Sequence, residues 1–546
     1  MKKINIDLKY LLIIWGVLIL SIVLTYARHG SLIIDTGREV YYPTQILLGK
    51  VLYKDIFDIY GPFSYLLNAF LFKAFGINLN VLYLSGCVCS FAISTLIYFI
   101  SKKYLSNFLS FSIAVFTVIT GVLTSYLSNF IFPYSYAMLY GLVSFLFAFL
   151  FLTKYHENQK SFNLYLSCFF VGLCISSKYE FLPYLLVVLY AMIRIKPLNF
   201  KQYFYSIFSL LFMPLFCFGI LFLQGLRIND FVNILSILSK MVHTQTFKYF
   251  YHIHGLYFNK MLMLYNLGGL LLTLVPVAGL FYAFNAKNKL LAALVAITSS
   301  FVLLKVANPF SLALLPILVL VLSIVNFRNL KYNLSLQFLV LSSLLFGLKV
   351  FLTLNLWHYG LFFSSFFIIA FIALVRDKLT DKFNYNGFGV YLLLFALILG
   401  YSSYPSEYKY QIKTSRGEIY TDGYLYNSSK ELIEYIQNNT KKSDRILIFP
   451  EGQMINYLTD RPSDDFYNSL IPLYVETMGE DVITSHFKEN PPEYIVFNNW
   501  NTQDYYFKYI CSDYAVSFCN YVAKNYSQEK VIDNGFRYLI FKRSKY

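Results

Sequence analysis

The sequence predicts a multi-pass α-helical membrane protein of about thirteen transmembrane helices, with interfacial helices in its first external loop and a C-terminal extracytoplasmic α/β domain. Three observations predict this. The chain is 57% hydrophobic and only 14% charged over 546 residues, with a mean hydropathy of +0.54, and a soluble protein needs more charge on its surface. Apolar runs of roughly 17–25 residues, the length of a membrane-crossing helix, recur along most of the chain. Beyond residue 403 the chain turns polar and alternates strand-like with helix-like segments.

The apolar spans fall near 10–27, 80–101, 105–124, 133–153, 162–177, 180–195, 203–224, 261–283, 289–304, 309–326, 333–354, 357–375 and 386–403. The first has no small-residue cleavage signature, so it reads as a retained helix and not as a signal peptide. Loop charges test the count. With the N-terminus inside, the inside loops carry Lys102 and Lys103, Lys154 and Lys160, then Arg194, Lys196 and Lys201. Further along they carry Lys287 and Lys289, Arg328 and Lys331, and Arg376, Lys378 and Lys382. The short loops on the other side hold little beyond Lys178 and Lys305. This is the positive-inside pattern of an inner-membrane protein, and an odd count places the C-terminal region outside.

Three segments then share the outer face: residues 28–79, residues 225–260 and the C-terminal 404–546. The domain boundaries follow, a membrane domain over 1–403 and an α/β domain over 404–546. In the first loop "GPFSYLLNAFLFKAFG" is apolar but short and glycine-bounded, so it reads as an interfacial helix. "REVYYPTQILLGK" is a second short amphipathic piece.

In the C-terminal region Ser428-Ser429-Lys430-Glu431 has the form of a capping box and would open the helix "ELIEYIQNNT". "RILIFP" (Arg445–Pro450), "EYIVFN" (Glu493–Asn498) and "FRYLIFKR" (Phe536–Arg543) read as strands, with helices over "GEDVITSHFKEN" and "DYAVSFCNYVAKNY". The region has no P-loop, dinucleotide fingerprint or metal-spaced Cys/His set. Cys511 and Cys519 can form a disulfide if this region lies outside the cell. On an unbroken helix they would stand about 12 Å apart, beyond bridging distance, so a break is required. The other five cysteines sit in apolar helices as small core residues.

The formal charge of +16 does not point to nucleic acid, because the basic residues are spread through short loops. Anionic membrane lipids are the partner such a distribution fits.

Asp35 and Arg38 are the central candidates. One helical turn places both on one face. A carboxylate near the head groups is partly desolvated, which raises its pKa, while Arg38 lowers it. Such a pair suits a base that takes a hydroxyl proton beside a cation that binds a departing phosphate. An interfacial ion pair that only orients the loop is the plainer alternative. Asp55 and Asp58 are further acid candidates, or solvated turn charges. Glu39, on another helical bearing, reads as a rim charge. Lys178 is costly within an apolar stretch and so is a functional candidate, unless it simply pairs with Glu180. Lys305 and His358 lie at external helix ends, where they can line a cavity, as can Tyr42, Tyr60 and Glu180. Arg416-Gly417 reads most simply as a linker turn, and "HIH" at 252–254 is too sparse for a metal site.

"D-T-G-R" at Asp35–Arg38 resembles the D-x-x-R of the first external loop in lipid-A aminoarabinose transferases. These belong to glycosyltransferase family 39 and, with the protein O-mannosyltransferases, to the GT-C superfamily. "LLGKVLYKDIFDIYGPFSYLLNAFLFKAFG" is similar to the later part of that loop, and "VGLCISSKYEFLPYLL" (171–186) to its Gly…Lys step between middle helices. The resemblance implies a GT-C-like membrane domain and a donor sugar carried on a polyprenyl monophosphate. It implies Asp35 as general base and Arg38 and Lys178 as ligands of the donor phosphate. It further implies transfer to a hydroxyl or phosphate of lipid A, a surface glycan or a protein. Two cations on a monophosphate leaving group make a divalent metal dispensable, so no cofactor is expected. The family's lysine before the proline step is replaced here by Tyr60-Gly61, and "LTSYLSNFIFPYS" lacks the acid of the family's second external loop. Sugar and acceptor therefore need not match the aminoarabinose enzymes. A polymerase or ligase of lipid-linked glycans is the nearest alternative. A transporter or flippase of lipid-linked sugars and a membrane-anchored binding protein are alternatives of other classes. The transporter fits poorly, because the sequence lacks a clear internal repeat.

Overall fold

The computed structural model describes residues 6–125, 128–195, 197–285, 288–306, 310–356, 358–378, 384–464 and 466–544. Over those residues all thirteen apolar stretches are helical. Helix α1 (Ile6–Thr25) leads into the first loop, which holds α2 (Thr36–Leu47) and α3 (Phe63–Phe75). There follow α4 (Leu79–Lys102), α5 (Asn107–Val118, extended by a π turn to Leu123), α6 (Tyr136–Asn158), α7 (Ser161–Ser177), α8 (Tyr184–Arg194) and α9 (Phe200–Leu223). The second large loop folds as α10 (Ile228–Met241) and α11 (Gln245–Ile253). The remaining helices of this half are α12 (Lys260–Asn285), α13 (Lys289–Val306), α14 (Phe310–Val325), α15 (Phe327–Leu330), α16 (Leu334–Phe346), α17 (Val350–Thr353), α18 (Ser364–Lys378) and α19 (Tyr385–Ser402).

Among the described residues α1, α4, α6, α9 and α19 are long and apolar enough by themselves to cross a bilayer. Their burial differs sharply. Most of α6 is enclosed by other helices, whereas α9 exposes Phe204, Phe208, Leu215 and Phe216. Such a face is stable against lipid, and the chain needs no hydrophobic core on that side.

The C-terminal half begins with a hairpin, β1 (Tyr410–Thr414) against β2 (Gly417–Thr421), followed by α20 (Gly423–Asn439). A four-stranded sheet is built from β3 (Ile446–Phe449), β4 (Tyr494–Asn498), β5 (Tyr526–Asn534) and β6 (Phe536–Arg543) in the order β3-β4-β6-β5. Strands β3 and β4 run parallel and the other pairs antiparallel. Helices α21 (Gln453–Thr459), α22 (Pro472–Met478), α23 (Glu480–Glu489) and α24 (Val516–Asn525) complete it. Both faces of β3 and β4 are buried. Ile446 and Ile448 join the core beneath α20, while Leu447 and Phe449 join a second core with Phe487 and Phe518. Alternation of side chains across the strand divides the two.

Two sequence expectations change here. Helix α20 starts at Gly423 and not at the Ser428–Glu431 box, because Asp422 caps it by accepting from the Leu425 amide at 2.9 Å. Ser428 and Ser429 are instead buried mid-helix, where Ser428 Oγ accepts from the Asn534 amide and Ser429 bonds Tyr538. Strands β5 and β1 escape a reading by apolar pattern because their faces are largely exposed. Cys511 and Cys519 are bonded, with Cα atoms 5.4 Å apart. The required break is present: Cys511 and Ala515 adopt φ of 70° and 55° ahead of α24, and left-handed residues of this kind do not continue a helix.

The C-terminal half sits on the first loop. The Ser463 amide donates to Tyr41 Oη at 2.7 Å, Tyr42 Oη donates to Asn468 Oδ1 at 3.2 Å, and Phe57 packs on Phe466 and Tyr474. At Gly37 the backbones nearly touch, since a Cβ there would lie 2.4 Å from the Met454 nitrogen. Glycine is the residue that permits this approach. The second loop joins the same assembly: Glu476 accepts the Gln245 and Thr246 amides at 2.8 and 2.9 Å, and Phe250 stacks on Tyr505 at 4.7 Å. These amides open α11, and a carboxylate is favoured at a helix N-terminus.

Candidate active site

Asp35 stands immediately before α2, in a turn where the Thr36 hydroxyl accepts from the Ser31 amide and donates to the Ser31 carbonyl. Its φ of 54° and ψ of −68° lie outside the regions L-residues favour. Strain of this kind persists only where the surrounding structure imposes it. The carboxylate is 39% exposed, and among the described residues no hydrogen bond reaches it. Its nearest charge is Arg38, with Oδ1 3.9 Å from Nη2, the i,i+3 pairing expected from sequence. Desolvation by the surrounding protein raises the Asp35 carboxyl above the ordinary 3.8, and Arg38 and Lys178 draw it partly back.

Arg38 is the hub. Its Nε lies 3.5 Å from Glu39 Oε1 and 3.7 Å from Asp58 Oδ2, Nη2 donates to the Tyr134 carbonyl at 3.4 Å, and the guanidinium covers the Tyr60 ring at 4.7 Å. Nε is buried and has no hydrogen-bond acceptor among the described residues. Lys178, fully buried where α7 ends, donates to Tyr134 Oη at 3.2 Å. Its ammonium lies 4.1 Å from the centre of the same Tyr60 ring and 3.6 Å from Glu180 Oε1. Tyr60 thus sits between two cations, a stabilising use of an aromatic face. The adjoining Gly61 makes this possible, for a Cβ there would come within 2.2 Å of the Ser176 carbonyl oxygen on α7. Three stretches, Asp35 with Arg38, Tyr60, and Lys178 with Glu180, meet at one place.

The other acids of the loop differ. Asp58 is buried and saturated, accepting from the Tyr60 amide at 2.7 Å and Tyr65 Oη at 2.9 Å. Asp55 caps its own turn by accepting from the Val51 amide at 2.8 Å. Asp58 is therefore not a solvated turn charge, whereas Asp55 is a half-buried charge in a turn. Glu39 is not a rim charge as the helical bearing suggested: it is fully buried and accepts from the Tyr136 amide at the start of α6 at 2.9 Å. Burial pushes its carboxyl up to about 7, opposed by Arg38 and that hydrogen bond. Tyr42 packs on Tyr65 and bonds Asn468, so it joins the loop to the C-terminal half. Arg416 lies in the β1–β2 hairpin turn, where it pairs with Asp460 over the Tyr457 ring. The backbones of Lys305 and His358 lie in α13 and in a 3-10 turn, and their side chains lie outside the described part of the structure.

Sequence reasoning missed Glu451. It follows β3 and lies two residues before Gln453, whose contact with Gly37 brings it towards Asp35. Ser469 Oγ donates to its Oε1 at 3.3 Å. Desolvation first and the Asp35 carboxylate second push it up to about 8, against Arg38 and the Ser469 bond. No local motif marks this residue, because only the tertiary contact gives it meaning. Among the described residues no group of three or more His, Cys, Asp or Glu is arranged to hold a metal ion.

No protein-family model matches the sequence, and no curated protein matches it. Among solved structures the chain is similar to the apo form of the Archaeoglobus fulgidus oligosaccharyltransferase, at 12% identity and a TM-score of 0.49, over 90% of this chain and 69% of that one. It is also similar to ArnT from Cupriavidus metallidurans. The form bound to undecaprenyl phosphate matches at 11% identity and a TM-score of 0.45, over 98% of this chain and 97% of that one. The apo form matches at 12% and 0.42 over the same shares.

Proposed function

We propose that the chain is an integral membrane glycosyltransferase that moves a sugar from a polyprenyl-phosphate donor to an acceptor on the outer face of the membrane. The observation that carries this reading is the contrast around Arg38. Asp35 is accessible and free of hydrogen bonds among the described residues, while two cations, Arg38 and Lys178, converge beside it on one tyrosine ring. A base next to a paired cation site is what displacement at an anomeric carbon needs.

In the proposed step Asp35 takes the proton of the acceptor hydroxyl as its oxygen bonds to the anomeric carbon. The bond from that carbon to the donor phosphate oxygen breaks, and the electron pair leaves with the phosphate. Arg38 offers its planar guanidinium, held from behind by Glu39 and Asp58, to that phosphate, and Lys178 offers a point charge. Asp58 holds Arg38 in place and Asp55 shapes the turn. Residues 1–403 form the catalytic membrane half and 404–546 an extracytoplasmic domain that covers it. The two cations supply the charge that a metal would otherwise bring, so turnover is expected to survive chelation by EDTA.

Mass spectrometry of glycolipids and glycoproteins tests the reading in cells carrying the wild type, no copy, or Asp35→Asn. A sugar present only with the wild-type chain supports it. Equal products in wild type and D35N, with both proteins inserted in the membrane, remove it.

A further inference from the structure

Helices α8 and α16 lie antiparallel and share a groove that the transfer step does not use. Two contacts set their register. Tyr184 stacks on Phe346 with ring centres 6.3 Å apart, and Tyr190 Oη donates to Gln337 Oε1 at 2.5 Å. The Tyr184 end of α8 follows Lys178 in the chain and faces the candidate active site. Arg194, in the last turn of α8, therefore lies towards the opposite face of the membrane.

Between the two helices is a cavity of about 490 Å³, walled by Leu186, Val340, Leu341 and Leu345 and bordered by Arg194 and Lys331. Leu186 and the neighbouring Phe327 are 59% and 66% exposed, so the groove opens outward and not into the bundle. The 11 residues of α8 rise about 16 Å, roughly half of a 30 Å hydrocarbon core. The groove is one leaflet deep. Its two cations share one end, because Arg194 closes α8 and Lys331 immediately precedes α16. Gln337 fixes the second of them: its Nε2 donates to the Leu330 and Lys331 carbonyls at 2.7 and 3.0 Å. Among the described residues neither cation makes an ion pair, and the lining holds no carboxylate. Other basic residues at the same face do pair, Lys102 with Asp7 at 2.5 Å and Lys103 with Glu157 at 2.6 Å.

We propose that this groove binds an anionic phospholipid from the leaflet opposite the active site. One acyl chain lies along α8 and α16, and the head-group phosphate sits between Arg194 and Lys331. Apolar walls one leaflet deep match the chain, and two unpaired cations at head-group level match the phosphate. The site is separate from the donor phosphate site, since Lys178 lies beyond the other end of α8. The bound lipid fills the space beside the helix that follows Lys178 and stabilises the folded chain by binding to it.

Native mass spectrometry of the full chain tests this, after delipidation in detergent and incubation with equimolar dioleoyl phosphatidylglycerol and dioleoyl phosphatidylcholine. Wild type is expected to retain phosphatidylglycerol over phosphatidylcholine by roughly tenfold. Arg194→Gln combined with Lys331→Gln should abolish that preference. Leu341→Trp fills the groove and should lower retention of both lipids. Lys154→Gln combined with Lys160→Gln removes the same charge from the α6–α7 turn on the same face, and should leave retention unchanged. Equal retention of the two lipids by wild type overturns the inference. So does a preference that survives in R194Q/K331Q, wild-type retention in L341W, or an equal loss in K154Q/K160Q, which would mean diffuse attraction only. A phosphatidylglycerol with a mid-chain diazirine locates the lipid. Cross-links on α8 and α16 support the inference, and cross-links confined to other helices or to the Arg38–Lys178 site overturn it. Displacement of the phosphatidylglycerol by a polyprenyl monophosphate would assign the groove to the donor, with the same consequence. If L341W fails to accumulate, the charge variants and the cross-links decide.

Discussion

Asp35 and Asp58 lie in one loop, both within reach of Arg38, and they are opposites. Asp58 is buried with both oxygens engaged, by the Tyr60 amide and by Tyr65. Asp35 is 39% exposed, sits on a strained backbone and has only a 3.9 Å ion pair. A carboxylate whose acceptors are filled contributes to stability. One left bare in a desolvated position costs stability and retains the capacity to take a proton. The difference separates structural charge from reactive charge more sharply than sequence position does.

The strongest way to break this comparison is Asp35→Asn. Activity is expected to fall by roughly 10²–10⁴-fold, the range of a general base, with melting temperature unchanged or raised. The direction follows from linkage. The folded Asp35 carboxyl titrates above 3.8, so the native state holds its proton longer than the unfolded chain. Stability is then lost as pH rises through that interval, and asparagine removes the loss. The same upward shift moves the acid limb of wild-type activity to higher pH than an unperturbed aspartate would give. A thermal shift at pH 5 and pH 8, with a pH–rate profile, measures both. A D35N protein that melts well below wild type would make Asp35 structural.

Lys178→Ala comes next. Removing a buried cation from a developing phosphate charge is expected to cost roughly 10²-fold. Arg38→Lys should also lose activity, since an ammonium cannot reproduce the planar fork. Initial rates across donor concentrations distinguish lost binding from lost turnover. If K178A turns over normally, its pairing with Glu180 at 3.6 Å is the whole of its role.

Asp58→Asn is the counterpart of the first substitution. It removes the charge behind two hydrogen bonds and the neighbour of Arg38 Nε, so about 1–2 kcal/mol of stability should go. Activity should fall less than in D35N, through loosened placement of Arg38. Chemical or thermal unfolding in detergent shows whether the losses run in this order. A stable, inactive D58N would exchange the roles assigned to the two acids.

How much of this was legible beforehand follows from the physics of each residue. The apolar stretches declare themselves because helix length and bilayer thickness match, and the Asp35–Arg38 pair follows from helical spacing. "RILIFP" and "EYIVFN" read as strands because they are buried on both faces. Glu39 and Glu451 were hidden for a shared reason. Each takes its character from a chain segment far off in sequence: Tyr136 for Glu39, and the Gly37 turn with Asp35 for Glu451. The saturation of Asp58 was equally invisible, since it depends on how Tyr65 is presented by α3.

The smallest expected effect on activity tests whether the outer domain and the site share one compartment. Cys511 and Cys519 are bonded at the start of α24 and pack against the second core of the C-terminal half. Closing so short a loop is worth about 2–3 kcal/mol by the chain-entropy estimate. The double change Cys511→Ser and Cys519→Ser should therefore lower the melting temperature of this half while leaving transfer within about twofold. A disulfide also reports its surroundings, since it persists where the medium is oxidising. In sealed cells a membrane-impermeant maleimide should label the pair only after an impermeant reductant is added. Labelling without reductant would mean free thiols, and no labelling after reductant would put the domain on the inner side. In the second case the active site lies there as well, because the Tyr41–Ser463 and Tyr42–Asn468 contacts bind loop and domain together.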